Sequence, residues 1–300
     1  MTFVAFSGAV QLGMIFALLA LGIFINYRIL GVADLTVEGS FTAGAAISAV
    51  VTVMGHPFLG IVFSILVGAI AGLVTALLQT KLRIQPILAG ILTMTALYSL
   101  NLAIMGGRAN ISLLREDTLF TILAGLAGTI RTWRFLLPLI ITVIIMAALS
   151  VFFHTKLGLS IRATGDNPDM VRASSISVTG TKSVGLMIGN AVAALCGGII
   201  AQYQGFADIG MGFGMVVVAL ASLIIGETIF GRRGVVWNIA AVALGAVVYR
   251  SILALALSFR LNPANLRAIS AAIVAAAISF PALKSLWVTY RLKRKGARDA

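Results

Sequence analysis

Few residues of this chain could do chemistry. Of its 300 residues only nine are Asp or Glu, two are His and one is Cys. His56 and His154 lack a second metal ligand nearby in the sequence, and no H-E-x-x-H pattern occurs. The sequence therefore predicts no metal site, and the lone Cys196 predicts no disulfide.

The pattern of a phosphate-binding loop is also missing. Such a loop needs G-x-x-x-x-G-K-[ST], so that its backbone amides can surround the phosphates of a nucleotide. The nearest letters, VTGTKS at 178–183, stand in the wrong order. We therefore expect that this chain binds neither ATP nor any other cofactor by that device.

Two stretches place an Asp in the same setting. GVADLTVEGSFTAGAAISAVV from Gly31 and GFADIGMGFGMVVVALASLII from Gly205 both begin Gly-x-Ala-Asp. A carboxylate at a helix start accepts from unpaired amides and opposes the helix dipole, so Asp34 and Asp208 are predicted as N-caps. Glu38 falls in the first turn after Asp34. The residues that loosen the backbone after Asp208 are Gly210, Gly212 and Gly214.

The elements that must position these residues are apolar helices. The chain is 60% hydrophobic and 10% charged, with a mean hydropathy of +1.08, whereas a soluble domain carries roughly 25% charged residues. Uncharged runs of about 20 residues, long enough to cross ~30 Å of hydrocarbon as a helix, recur along the sequence. The composition predicts an all-α, polytopic helical membrane protein with broken helices and one transmembrane domain over 1–300.

We predict about nine spans, with a range of eight to ten. Positive residues concentrate in cytoplasmic segments of membrane proteins. With the N-terminus outside and the C-terminus inside, inner segments hold 15 of the 22 Lys and Arg and outer segments hold six. The net charge of +13 then reflects cytoplasmic segments rather than nucleic-acid binding. The predicted spans are 3–25, 39–55, 58–80, 86–105, 135–154, 183–203, 209–230, 234–258 and 268–283.

Three segments need separate interpretation. The run 3–25 resembles a signal peptide in position, but it lacks Lys and Arg at its start and exceeds the usual core, so we interpret it as a retained span. The run 118–130 is too short to cross and is predicted as an outer-face helix or a re-entrant segment. The basic tail 284–300 is predicted to meet anionic lipid on the cytoplasmic side.

The number of spans between the two Asp motifs indicates a repeat. Five predicted spans lie between them, and an odd number places the two copies in opposite orientations, as in transporters with inverted-topology repeats. The first repeat would cover about 26–154 and the second about 183–290. Either the motifs are ordinary helix starts or they line a solute pathway. The pathway candidates are Asp34, Glu38, Asp208, Gly210, Gly212, Gly214 and Arg250.

Arg250 lies inside the eighth predicted span. A charge in a membrane helix faces the bundle interior or a water-filled cavity by default. Its side chain could instead extend to the outer interface, because only nine uncharged residues separate it from Arg260.

A long polar segment, 155–182, separates two apolar runs on the predicted cytoplasmic side. Asn167 suits an N-cap, Pro168 the first helical position and Asp169 the first turn, so a short helix is expected there. Gly165 and Gly180 are predicted as flanking turns. Isolated helices in water need about 12–15 residues, so this helix is expected to dock on a partner.

Here the sequence carries a resemblance to a known family. GLSIRATGDNPDMVRASSISV resembles the cytoplasmic coupling loop of ABC-importer permeases of the branched-chain amino acid and ribose type, which shows Arg-Ala-x-Gly-x-Asn-Pro before a short helix. NYRILGVADLTVEGSFTAGA and GFADIGMGFGMVVVALASLIIGE resemble the two membrane landmarks of that family. The resemblance covers nearly the whole chain and is nearest to a subgroup assigned to amino acid uptake. Ser175 departs from it, because the family commonly has glycine there.

The resemblance implies a non-enzymatic permease subunit in a bacterial inner membrane. Two copies would form the pathway for an amino acid or another small polar solute. Two separate ATPase subunits, which bind ATP and Mg²⁺, would dock on a coupling helix at 162–175, and an extracytoplasmic binding protein would deliver the solute. The residues expected to couple to the ATPase are Arg162, Gly165, Asp166, Asn167, Pro168, Asp169, Met170 and Arg172.

The sequence fits two other classes of protein less well. An ion-gradient-driven secondary transporter with inverted repeats usually has acidic residues inside its spans, and the candidates here all lie near predicted span ends. An intramembrane hydrolase needs a Ser/His, Asp/Asp or metal constellation at one depth, and the sequence offers none. The polar segment favours the importer, because a secondary transporter has no use for a docked cytoplasmic helix.

Overall fold

A computed structural model describes residues 3–126 and 128–258, together with residues 272, 275 and 279. The ninth predicted span, 268–283, and the basic tail, 284–300, lie outside the described residues apart from those three positions.

The described chain is almost entirely helical. A π-helix, Phe24–Ile29, extends the first helix, and two three-residue strands, β1 (Asn110–Ser112) and β2 (Phe206–Asp208), pair antiparallel. The α-helices are α1 (Phe3–Ile23), α2 (Thr36–Val53), α3 (Pro57–Thr80), α4 (Pro86–Ile104), α5 (Leu119–Leu126), α6 (Ile130–Phe152), α7 (Lys156–Asp166), α8 (Pro168–Ala173), α9 (Val178–Gln204), α10 (Met215–Phe230) and α11 (Val235–Ser258).

Within the described residues, seven helices are long and apolar enough to cross a membrane. Their ends agree within five residues with the first six predicted spans and the eighth. The prediction of a polytopic helical membrane protein is thereby confirmed. The seven are Phe6–Ile29, Thr36–Val53, Pro57–Thr80, Pro86–Ile104, Ile130–Phe152, Val178–Gln204 and Val235–Ala256.

The seventh predicted span, 209–230, is wrong over its first six residues. These residues form turns, and α10 begins only at Met215 and runs for 16 residues. The N-cap of α10 is Gly214, whose φ of 80° is a conformation that favours glycine. Asp208 is therefore not an N-cap, because it lies in β2, seven residues before the helix.

The centre of the bundle is α9, which packs along α2 and α3 and also contacts α1. Small residues allow these helices to approach closely. A Cβ atom at Gly44 of α2 would collide with the carbonyl oxygen of Ala194, and one at Gly68 of α3 would collide with that of Asn190. Such contacts are typical of helices that associate in lipid. Around this core, α11 packs against α1 and α10.

The short apolar run at 118–130 forms α5, a helix of eight residues. A helix of this length spans about 12 Å, which is less than the ~30 Å of a bilayer's hydrocarbon core. That the run lies on the outer face or re-enters the membrane stays a prediction. Its first residue, Leu119, donates its backbone N–H to Gln202 Oε1 at 2.9 Å, which holds α5 at the end of α9. The β1–β2 pair lies at this same end of the molecule, because β2 follows α9 directly.

The polar segment 155–182 is more helical than predicted. It contains α7, α8 and the first residues of α9 rather than one short helix. Gly165 is not a turn residue but lies inside α7, and Gly180 lies in the first turn of α9. Thr155 and Ser177 cap α7 and α9 by accepting from the N–H groups of Gly158 and Gly180, caps that the sequence analysis did not identify.

Candidate functional site

The two Gly-x-Ala-Asp motifs share two local features, a left-handed glycine and an Asp that accepts from a backbone N–H, although only the second contains a strand. Gly31 and Gly205 have positive φ values of 67° and 80°, so the chain turns sharply after each preceding helix. In both motifs the Asp side chain then accepts from the N–H two residues ahead. Asp34 Oδ1 lies 2.9 Å from the Thr36 nitrogen, and Asp208 Oδ1 lies 2.8 Å from the Gly210 nitrogen. The two copies differ in the residues that follow the Asp, because α2 begins at Thr36, whereas α10 begins only at Met215.

Asp34 is buried in a network of side-chain amides. Asn26 of the π-helix and Asn190 of α9 donate to its Oδ2 at 3.0 and 2.7 Å. Ser40 of α2 donates in turn to Asn190 Oδ1 at 2.7 Å. A buried carboxylate is costly unless hydrogen-bonded, and these donors stabilise it. Asp34 thus holds the start of α2 and the π-helix against α9. The N-cap residue of α2 is Leu35, so Asp34 lies one residue before the predicted capping position.

Glu38 connects the two motifs. It lies in the first turn of α2, and its Oε1 accepts from the backbone N–H groups of Gly214 at 3.0 Å and Val216 at 3.4 Å. The carboxylate therefore caps α10, whose own N-cap residue is a glycine without a side-chain acceptor. Close packing accompanies this contact, since a Cβ at Gly212 would collide with the carbonyl oxygen of Glu38.

Two cavities lie beside residues 209–214, which we call the glycine segment. The Glu38 cavity, of about 330 Å³, is lined by Glu38, Gly212 and residues of α4 that include Tyr98 and Asn101. The Arg250 cavity, of about 620 Å³, is lined by residues of α1, α2, β2, α9, α10 and α11 and by the glycine segment. Phe213 lines both, so the glycine segment forms part of the wall of each cavity.

Arg250 points into the larger cavity. Its guanidinium carbon lies 3.7 Å from the centroid of the Phe16 ring of α1, a cation–π contact. Asp208, Gly210 and Gly214 line the same cavity. The structure thus favours the interior position of Arg250 over extension to the interface.

An ion cluster around the buried Glu227 ties the end of the π-helix to α10. Glu227, whose side chain is 4% exposed, forms an ion pair with Arg28 at 2.9 Å and accepts from Arg232 Nε at 2.7 Å. Of the two arginines that follow α10, Arg232 and Arg233, only Arg232 pairs with Glu227 among the described residues. Arg28 is distant from Glu227 in the chain, so the sequence alone does not predict this pair, and only the fold brings Arg28 to α10.

The surface of the polar segment presents the short helix α8. Asn167 Oδ1 accepts from the N–H groups of Asp169 and Met170 at 3.1 and 3.0 Å, so the predicted N-cap and the predicted helix start are confirmed. Asp169 and Arg172 form an exposed pair at 3.2 Å. Met170 is 52% exposed although it is apolar.

The other side of the segment is anchored in the bundle. A Cβ at Gly165 would collide with the carbonyl oxygen of Ile29, the last residue of the π-helix. Ile161 is buried with Leu30 and Leu186. Gly165 therefore packs against the end of the π-helix and is only partly exposed, whereas Asp166 and Asn167 are exposed.

The predicted pathway residues come together except for one. Glu38 and Gly212 line one cavity, and Asp208, Gly210, Gly214 and Arg250 line the other. Asp34 lines neither cavity and belongs to the buried network. Asn26 and Asn190 are essential to this network and were not predicted as part of it, although an Asp among apolar spans is itself a signal that donors must be nearby.

This architecture defines a class of protein. Apolar helices pack around α9, and the glycine segment delays the start of the short helix α10 beside two cavities. Short helices with glycine-rich ends beside a cavity are common in solute transporters. The chain belongs to the family described as branched-chain amino acid transport system / permease component, whose profile matches residues 5–278.

Individual relatives are transport permeases by name. The chain is 36% identical over 286 residues to the tyrosine transport system permease protein of Clostridioides difficile (strain R20291), covering 95% of this chain and 92% of the relative. It is 27% identical over 242 residues to the ribose import permease protein RbsC of Escherichia coli (strain K12), covering 77% and 71%. It is 28% identical over 181 residues to the autoinducer 2 import system permease protein LsrC of Yersinia pseudotuberculosis (serotype O:1b, strain IP 31758), covering 58% and 48%. No solved structure is significantly similar to the chain.

Proposed function

We propose that this chain is the pathway-forming subunit of an ATP-driven importer and that α7 and α8 transmit the force of a separate ATPase. The observation that carries the proposal is the two-sided nature of the polar segment. Its outer side presents Met170, Asp169 and Arg172 to a partner, and its inner side packs through Gly165 on the end of the π-helix. A displacement of α8 is then passed directly to the membrane helices.

The route inward is short. The π-helix that receives α7 holds Asn26, which binds Asp34, and Arg28, which binds Glu227 of α10. A movement of α7 therefore acts on the start of α2 and on α10 together. Glu38 joins the same two helices at their cavity ends. We propose that this linkage rocks the two repeats, about 26–154 and 183–290, against each other and switches access to the pathway.

The partners follow from this mechanism and from the family. The ATPase subunits hold ATP and Mg²⁺, and they dock at 162–175 through the exposed members of the predicted coupling set. A second copy of this chain completes the pathway, and an extracytoplasmic binding protein delivers the solute. We place the chain in a bacterial inner membrane, with the N-terminus outside and the C-terminus in the cytoplasm, in contact with anionic lipid.

We propose an amino acid as the solute. One relative is named a tyrosine transport permease and another a ribose import permease, so the family alone leaves the solute class open. An amino acid is supported by the larger cavity, which is lined by both an Arg and an Asp, as the two charges of an amino acid require.

The first test is a copurification. The chain, tagged and expressed with its native neighbours, is extracted gently, and the amount of ATPase that accompanies it is measured. We expect the wild type to carry ATPase in a fixed ratio, and we expect a variant with Arg162→Glu and Arg172→Glu to lose it. Lys81→Glu is the matched control, because it reverses an exposed charge outside the polar segment and should retain the ATPase.

Either of two results would count against the proposal. The first is a wild type that carries no ATPase. The second is a double variant that retains as much ATPase as Lys81→Glu does.

A further inference from the structure

Arg250 is a cation within a membrane-spanning helix, and it forms no ion pair with any described residue. No carboxylate of the described residues lies within ion-pair distance of its guanidinium, and its buried Nε has no hydrogen-bond partner among them. The Phe16 ring lies against one face of the guanidinium and satisfies none of its N–H groups. A charge in this position is retained at a cost, and such residues mark ligand sites in membrane proteins.

The other positive feature of the cavity is already neutralised. The backbone N–H groups at the start of α10 attract anions, but Glu38 accepts from Gly214 and Val216. An anionic group that enters the Arg250 cavity therefore finds its strongest partner in the guanidinium. Arg presents its donors in a planar fork that matches a carboxylate with two parallel hydrogen bonds.

Asp208 supplies the opposite charge at the same cavity. It is partly buried, and Oδ1 is used by the N–H of Gly210. Oδ2 has no hydrogen-bond partner among the described residues. The aspartate is thus held in orientation by one oxygen and can receive a cationic donor with the other.

We infer that Arg250 and Asp208 form a two-charge subsite that binds a zwitterionic α-amino acid, with its carboxylate on the Arg250 guanidinium and its ammonium on Asp208. The inference rests on the proposed function and assigns the residues that would select the solute. Apart from Gln204 and Tyr249, the remaining side chains of the lining are apolar and suit an apolar side chain of the solute. They include Phe16, Phe41, Phe206, Phe213 and Met215. The volume of about 620 Å³ lies within the usual range for small-molecule sites.

The test measures equilibrium binding to the purified full-length chain in lipid nanodiscs. The probes are radiolabelled L-phenylalanine and L-leucine. The competitors are 3-phenylpropionate, which lacks the ammonium, and phenethylamine, which lacks the carboxylate. We expect at least one amino acid to bind, and we expect each analogue to compete about tenfold to a hundredfold more weakly than the amino acid, since each loses one charge-assisted contact.

Variants then assign each charge to its residue. Arg250→Gln should weaken binding of the amino acid by about tenfold to a hundredfold while phenethylamine binds as before, and Arg250→Lys should be intermediate. Asp208→Asn keeps an oxygen for Gly210 and should weaken the amino acid but not 3-phenylpropionate. Arg134→Gln is the control, because Arg134 also lies over an aromatic ring, Tyr203 at 5.5 Å, but is exposed and does not line the cavity.

The outcomes separate this subsite from the proposed function. Failure of the wild type to bind either amino acid, or equal binding by Arg250→Gln and Arg134→Gln, overturns the subsite even if the ATPase copurifies. If no ATPase copurifies with the wild type but amino acid binding still depends on Arg250, the importer proposal is wrong and the subsite is supported. The comparison of the amino acid with its two analogues uses the wild type alone. A variant that fails to fold therefore does not affect that result.

Discussion

At the scale of single residues, the two carboxylates at the start of α2 differ in what they bind. Asp34 accepts from two side-chain amides and one backbone N–H and is buried within the bundle. Glu38, one turn later, accepts only from backbone N–H groups of α10. The first carboxylate therefore stabilises the fold. The second connects two helices that flank the cavities and is positioned to respond when they move.

The Asp34 network predicts a stability effect. Asn190→Ala removes a donor to Asp34 and the acceptor of Ser40, so it leaves buried polar groups unpaired. We expect the free energy of unfolding to fall by about 2 kcal/mol, measured in mixed micelles. Asn101→Ala is the comparison, because Asn101 makes a single bond of 3.3 Å to the Gly39 carbonyl. Equal losses in the two variants would contradict the importance of the network.

The Glu38 contact predicts a local effect on the start of α10. Glu38→Ala removes the acceptor of the Gly214 and Val216 N–H groups. Because loss of a cap costs about 1 kcal/mol, we expect hydrogen exchange in a peptide covering 209–217 to accelerate about fivefold. Glu116→Ala, which removes a carboxylate from the loop between β1 and α5, should leave that peptide unchanged. If this peptide exchanges at the same rate in Glu38→Ala as in the wild type, the carboxylate does not stabilise the start of α10.

At the scale of elements, α8 ends in a recognised helix-capping motif with an unusual residue. Ile176 donates to the Val171 carbonyl and Ser175 to the Arg172 carbonyl, the two bonds of a Schellman cap. Ser175 occupies the left-handed position with φ of 60°, where glycine is favoured. A serine at this position therefore raises the free energy of the turn relative to a glycine, but α8 still forms.

The left-handed serine predicts how α8 responds to substitution. Ser175→Gly relieves a conformation that costs roughly 1 kcal/mol for other residues, so α8 should be more stable. Ser175→Val, which is β-branched, should be less stable. Hydrogen exchange in a peptide covering 167–177 should slow in the first variant and accelerate in the second. Indistinguishable exchange in the two variants would show that this turn does not limit the stability of α8.

The elements also show what sequence reasoning could reach. The spans and the start of α8 were predicted, because apolar length and the order Asn-Pro-Asp are local signals. The late start of α10 was not, since the apolar run begins at Ile209 and only the left-handed turn at Gly214 delays the helix. The pairing of Arg28 with Glu227 and the cap from Glu38 to Gly214 are contacts between distant segments, which a single sequence does not specify.

At the scale of the whole molecule, the two Gly-x-Ala-Asp motifs organise the structure. Each turns the chain after a long helix, and the helices that follow them, α2 and α10, meet at Glu38. The polar segment attaches beside the first motif through the end of the π-helix. The region that would meet an ATPase and the region that lines the cavities are therefore connected through one set of helices.

The proposed orientation can be tested with cysteine labelling. Cys196 is buried, so the wild type should give little background with a membrane-impermeant maleimide. A cysteine introduced by Arg108→Cys should be labelled in intact spheroplasts. One introduced by Lys81→Cys should be labelled only after the membrane is opened, because it lies on the predicted cytoplasmic side. The opposite labelling pattern would invert the topology.

The most direct test of the central claim is solute uptake into proteoliposomes that contain the chain, its ATPase neighbour and its binding protein. We expect uptake that requires ATP, does not require an ion gradient, and is lost in Arg172→Glu but retained in Lys81→Glu. The contradicting result is uptake by the chain alone under an ion gradient, with no response to ATP or to Arg172→Glu.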